Sequence, residues 1–179
     1  MLWRNQYRVV NMSARSLGFT LIELLVAITI LAILAAIGTP ALQSLIATNR
    51  LKTTASEMHL SFILARSEAV KRNANVTVTP ADASDWSQGW SVTFGSTTLS
   101  TQNRVQGLTV STRDSAYNSK TVSSVTYTGT GRENSTDGVS FVISLTDYPS
   151  VPARCVVVDP SGRASVVKDQ DTTLSDGCN

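Results

Sequence analysis

The sequence predicts an α+β protein: a long N-terminal helix, membrane-spanning over its first half, packed on a C-terminal antiparallel β domain. Three observations carry this. A nearly charge-free apolar run occupies residues 19–37, helical spacing of apolar residues continues to about residue 72, and from residue 76 the composition shifts to Thr, Ser and Val punctuated by Gly, Asn and Asp. With 179 residues there is room for one span and one modest domain able to bury a real core, which excludes a multidomain enzyme.

From Phe19 to Ile37, nineteen residues carry Glu23 as their only charge, enough at about 1.5 Å per residue to cross a hydrocarbon core of about 30 Å. A carboxylate inside such a helix costs roughly 2.5–3.5 kcal/mol on insertion scales, so Glu23 needs a compensating partner. Arg4, Arg8 and Arg15 precede the run. The run is too long for an ordinary secretory peptide and lacks an A-x-A-like cleavage site, so it is expected to stay attached as an anchor. Positive residues favour the cytoplasmic side, which makes the chain a single-pass protein of a bacterial inner membrane with its C-terminal domain in the periplasm. Met12 is an equal alternative start, because M-S-A-R-S-L-G already makes a short leader. Without residues 1–18, and so without those three arginines, the fifteen Lys and Arg fall to twelve against thirteen Asp and Glu. The overall pI of about 8.7 is therefore no argument for nucleic-acid binding by the exported part.

Gly38-Thr39-Pro40 follows the run, and a proline that removes a backbone donor is expected to kink or loosen the helix at Gly38 and Pro40. Beyond it, Leu51, Ala55, Met58, Phe62, Ala65 and Ala69 recur at steps of four and three, with charged residues on other faces. Residues 40–73 thus read as an amphipathic helix entering the globular domain and ending near Arg72-Asn73. If continuous, a helix of about 50 residues would be near 80 Å long. Residues 74–179 form the β domain, with strands expected at Val76–Thr79, Trp90–Phe94, Leu108–Thr112, Val122–Thr128, Val139–Leu145, Arg154–Val158 and Ala164–Val167. Residues 82–85, 128–138 and 146–152 read as loops.

Cys155 and Cys178 are the only cysteines. An exported location permits a disulfide between them, closing a loop of about 24 residues for about 3 kcal/mol; two free thiols are the alternative. No zinc site is expected from two cysteines and the distant His59. Asp169, Asp171 and Asp176 lack the spacing of a calcium loop, and Gly129-Thr130-Gly131 lacks the strand–helix setting of a nucleotide loop. No metal, cofactor or catalytic residue is expected.

The string Gly18-Phe19-Thr20-Leu21-Ile22-Glu23-Leu24-Leu25-Val26, preceded by a basic leader, resembles the class III prepilin motif of type IV pilins and pseudopilins. The resemblance implies that a membrane prepilin peptidase cuts between Gly18 and Phe19, removing residues 1–18, and that Phe19 is N-methylated. It implies too that Glu23 attracts the terminal amine of a neighbouring subunit, and that residues 19–39 form the membrane and filament-core helix. Ala65-Arg66-Ser67-Glu68-Ala69-Val70 and Asp85-Trp86-Ser87-Gln88-Gly89-Trp90 resemble the GspH/FimT branch, which includes FimT and FimU minor pilins and the secretion pseudopilin GspH. The implied fold is the pilin fold. The implied partners are other minor and major pilins or pseudopilins, the inner-membrane assembly platform and membrane lipid.

The expected function is a priming or tip subunit of a type IV pilus, serving pilus assembly, twitching motility and DNA uptake. The alternative is a minor pseudopilin of type II secretion. Trp86 and Trp90 read as core and turn anchors rather than ligand-stacking groups. A DNA-binding role rests on Gly162-Arg163-Ala164-Ser165, which keeps the first arginine of the G-R-x-R motif of FimT-like proteins and has serine for the second. Arg154 and Lys168 are expected to lie near Arg163 across strands, and the alternative is a turn glycine followed by a solvated arginine.

Overall fold

A computed structural model describes residues 18–82, 84–114, 116, 118–170 and 178, with side chains at all of these except Ile37 and Pro40–Ala41. The expected leader before Gly18, and Asp171 and Asp176, lie outside the described residues. The chain falls into two compact units, Met1–Pro40 and Ala41–Asn179.

Helix α1 spans Leu21–Arg72. In the first unit its apolar side chains are exposed. Among the described residues no helix is long and apolar enough to cross a membrane. In the second unit the apolar stripe is the core: Leu51, Ala55, Met58, Phe62, Ala65 and Ala69 are all buried. The helix stops because Asn73 takes a left-handed conformation (φ 49°). Ala74 N–H then donates to the Ala69 carbonyl and Asn73 N–H to the Val70 carbonyl, a Schellman closure of the last turn.

Eight strands follow: β1 (Val76–Asp82), β2 (Asp85–Phe94), β3 (Thr97–Asn103), β4 (Leu108–Arg113), β5 (Val125–Tyr127), β6 (Val139–Leu145), β7 (Arg154–Val158) and β8 (Ala164–Lys168). They form two antiparallel sheets, in the orders β3-β2-β1-β5 and β4-β6-β7-β8. Strand β3 is a departure from the sequence reading, which left residues 97–103 unassigned. Its Thr, Ser, Gln and Asn side chains show no apolar alternation, and it forms because Gly95 (φ 55°) turns the chain back onto β2. The strand expected at Val122–Thr128 is confined to Val125–Tyr127. The Val122 carbonyl instead accepts a hydrogen bond from the Trp86 indole at 2.7 Å.

The core joins the helix to both sheets through Phe62, Trp86 and Phe141, with Trp86 edge-on to Phe141 at 4.7 Å between centroids. Strand β6 is buried on both faces. Val139, Phe141, Ile143 and Leu145 face the main core, whereas Val142 packs with Ala153 and the Cys155–Cys178 disulfide. That bond ties residue 178 back to β7. Cys178→Ser is expected to lower stability by about 3 kcal/mol, measured by denaturant unfolding under non-reducing conditions, while the reduced wild type matches the variant.

Candidate functional site

Two places carry the residues singled out by the sequence. The first is the start of α1. Gly18, Phe19 and Thr20 precede the helix, and Thr20 caps it: its hydroxyl accepts the Glu23 N–H at 3.3 Å, and its carbonyl accepts the Leu24 N–H at 3.1 Å. Thr20-Leu21-Ile22-Glu23 has the order of a capping box, and an acid in the first turn suits the helix dipole. Glu23 is exposed, as are its chain neighbours Leu21, Ile22 and Leu24, with Phe19 at 83 % exposure. A Cβ on Gly18 would meet nothing within 4 Å, so the fold places no demand for glycine there.

The second place is the β7–β8 hairpin. Arg154 and Lys168 are cross-strand partners. Arg163 lies in the turn at the opposite end, beyond the Val158–Ala164 pair, which is about 14 Å along the strands. The expectation that all three lie together is therefore corrected: β pairing joins Arg154 to Lys168 and parts both from Arg163.

What the structure brings to Arg163 is a second turn of the same build. In residues 159–163, Gly162 N–H donates to the Asp159 carbonyl and Asp159 N–H to the Arg163 carbonyl. In residues 128–132, Gly131 N–H donates to the Thr128 carbonyl and Thr128 N–H to the Arg132 carbonyl. Both glycines have positive φ. The turns touch there, since a Cβ on Gly162 would stand 2.1 Å from the Gly131 carbonyl oxygen. Arg132 and Arg163 are exposed, and Arg66 of α1 donates to the Ser161 carbonyl at 3.4 Å. Sequence reasoning missed Arg132 and Arg66; the repeated Gly-Arg after a polar turn was the available signal.

The Asp159 carboxyl is held below its ordinary range chiefly by the Ser161 hydroxyl; burial, the next largest effect, opposes this, and the backbone N–H groups of Arg163 and Ser161 and the Arg163 charge add to the lowering. Lowering in the folded state means that its contribution is present above the ordinary value of 3.8 and is lost as pH falls through the folded value. Asp159→Asn is accordingly expected to flatten the pH dependence of unfolding in this acid range, read by thermal melts between about pH 2 and 5.

The remaining candidates are structural. Trp86 and Trp90 are buried, and the Trp90 indole donates to the Ser61 hydroxyl at 2.9 Å. The His59 Nε2 lies 3.1 Å from the Ala164 carbonyl oxygen and ties α1 to β8. Among the described residues no group of side chains is placed to hold a metal ion.

Residues 54–162 match the family described as type II transport protein GspH, and residues 13–39 match the prokaryotic N-terminal methylation motif. The comparison with curated proteins finds no match. Among solved structures, the chain is similar to the type IV minor pilin FimU of Pseudomonas aeruginosa, at 22 % identity and a TM-score of 0.56 over 70 % of this chain and 96 % of that one. A second crystal form of FimU gives 21 % and 0.56, over 68 % and 99 %. The minor pseudopilin EpsH from the type 2 secretion system of Vibrio cholerae gives 11 % and 0.51, over 66 % and 97 %. These likenesses show the pilin fold. The chain belongs to the family described as type II transport protein GspH and carries the N-terminal methylation motif of pilin-like proteins, and so is a structural subunit and not an enzyme.

Proposed function

We propose that this protein is a minor pilin in the initiating or tip complex of a type IV pilus, where it supports pilus assembly, twitching motility and DNA uptake. The observation that carries the reading is the exposed Glu23 carboxylate in the first turn of α1, three residues past the capping Thr20 and four past Phe19. On this reading prepilin peptidase cuts after Gly18, and the methylated Phe19 becomes the N-terminus. Residues 19–39, nineteen of them an almost uncharged run, hold the subunit in the inner membrane with its β domain in the periplasm. The assembly platform then lifts it into the filament, where Glu23 neutralises the Phe19 amine of a neighbour in a low-dielectric core.

A second reading, a minor pseudopilin of type II secretion, is favoured by the description of the matching family. Deletion of the gene, with complementation by wild type, separates the two. Loss of pili and twitching with secretion intact supports the pilus reading; loss of secretion alone supports the other and overturns the first.

DNA contact is the finer part of the pilus reading, and the paired turns carrying Arg132 and Arg163 favour it over the separated Arg154 and Lys168. Each phosphate contact adds a salt-screened increment. Arg163→Ala is expected to weaken duplex DNA binding and to reduce its salt slope by about one, measured by fluorescence anisotropy across ionic strength. Unchanged binding removes this turn from consideration.

A further inference from the structure

Strand β3 is an edge of its sheet and carries no charge and no proline, so it lacks two of the usual devices that prevent strand addition. A bulge at Leu99, where the register passes from Val92↔Ser100 to Thr93↔Thr98, leaves Ser100–Asn103 as the evenly paired stretch. The Gln102 carbonyl oxygen is turned toward β2, since it would stand 2.2 Å from a Cβ on Gly89. By strand alternation, Thr101 and Asn103 direct their N–H and C=O groups away from β2, to the open side.

Beside this stretch the helix is left partly bare. Grooves of about 400 and 310 Å³ run between α1 and β3, lined by Ile46, Arg50, Thr53, Glu57 and Leu64 on the helix side and by Ser100 and Gln102 on the strand side, with Arg50 about two helical turns before Glu57. Leu60, on the rim, is 60 % exposed. The Glu57 carboxylate joins the two grooves by accepting a hydrogen bond from the Gln102 amide at 2.8 Å. It has no ion-pair partner among the described residues.

We propose that the open edge of β3 accepts a strand donated by a neighbouring pilin-like subunit, apolar on the face it turns to α1 and carrying a lysine or arginine opposite Glu57. The outward N–H and C=O groups of Thr101 and Asn103 hold the incoming backbone, and alternate side chains enter the grooves. The charge complementarity at Glu57 and the apolar rim at Leu60 set which strand fits. This rests on the reading that the chain works within an assembly of pilin-like subunits.

The test uses the full chain in cells of the parent organism, with a photoreactive p-benzoylphenylalanine in place of Asn103 and, in a parallel strain, in place of Val26 on the apolar helix. Adducts are identified by peptide mass spectrometry. At position 103 the expected adduct is with a β segment of another pilin-like subunit. Thr101→Pro removes the outward N–H without touching the β2 ladder and is expected to reduce the adduct at least about tenfold; Thr101→Val, which keeps that N–H, retains it. Leu60→Asp, on an exposed helix position, is expected to reduce it as well, and it carries the test if protease sensitivity shows that Thr101→Pro fails to fold. An adduct indifferent to Thr101→Pro and Leu60→Asp, or formed only with lipid or a second copy of this chain, overturns the proposal. Pilin adducts at position 26 with none at 103 overturn strand addition alone. No pilin adduct at either position overturns the assembly reading and the proposal with it.

Discussion

Glu23→Ala is expected to leave the protein in the inner membrane and all but remove it from the filament. Insertion becomes easier, because a carboxylate in an apolar helix is a net cost of roughly 2.5–3.5 kcal/mol. Incorporation fails for the opposite reason. On the function proposed above, the carboxylate and a neighbour's terminal amine compensate each other in the filament core, and removing one partner of a buried pair costs about 3–5 kcal/mol. That corresponds to a loss of at least about a hundredfold in occupancy. Glu23→Gln separates charge from shape: it keeps the side-chain size and a hydrogen-bonding oxygen, and is expected to fall close to alanine. Leu24→Ala, at a position of the same turn that is also exposed, trims only non-directional packing and is expected to be mild. The measurement is the ratio of subunit in sheared filaments to subunit in membranes, by quantitative immunoblot. A normal ratio for Glu23→Ala would remove this carboxylate from the assembly step.

The helix and strand β6 were legible because one carries a periodic apolar stripe and the other a dense apolar run. The stripe from Leu51 to Ala69 repeats at four and three, and every member is buried. Strand β6 is a continuous run of Val, Phe, Ile and Leu broken only by serines, and its bounds come directly from that run. Strand β3 was not legible, because an edge strand outside the core has no apolar period to read. Its signals were indirect: Gly95 behind it and the strong β2 in front. The functional start of α1 is local, within the six residues 18–23, and sequence order alone carries it. The cation cluster is not local. Arg66, Arg132 and Arg163 come from a helix and two separate turns, and the Gly131–Gly162 contact that joins the turns leaves no trace in spacing. The pairing of Arg154 with Lys168 followed from strand register, while the same register carried Arg163 to the other end.

Trp86→Ala is expected to destabilise the β domain by about 3–5 kcal/mol, a large part of the about 5–15 kcal/mol that holds a typical domain together. Trp86 is fully buried. It packs edge-on to Phe141 and against Phe62, so alanine opens a cavity where α1 meets both sheets. It also frees the Val122 carbonyl, in a segment that has no strand pairing of its own. Trp86→Phe divides the two effects: it refills much of the cavity and leaves the carbonyl unpaired, at about 1–3 kcal/mol. Because Trp86 shows no face to solvent, both losses should appear as a shift in denaturation midpoint and neither as a change specific to a ligand. In the cell, destabilisation of this size raises the unfolded fraction that proteases remove. Trp86→Ala should therefore lower the amount of subunit available for assembly, while the molecules that remain folded are incorporated at the normal membrane-to-filament ratio. That pattern is the reverse of Glu23→Ala, where abundance holds and incorporation falls, so the two variants together separate the scaffold from the assembly step. A Trp86→Ala protein with an unchanged midpoint would contradict the core packing that places the tryptophan between helix and sheets.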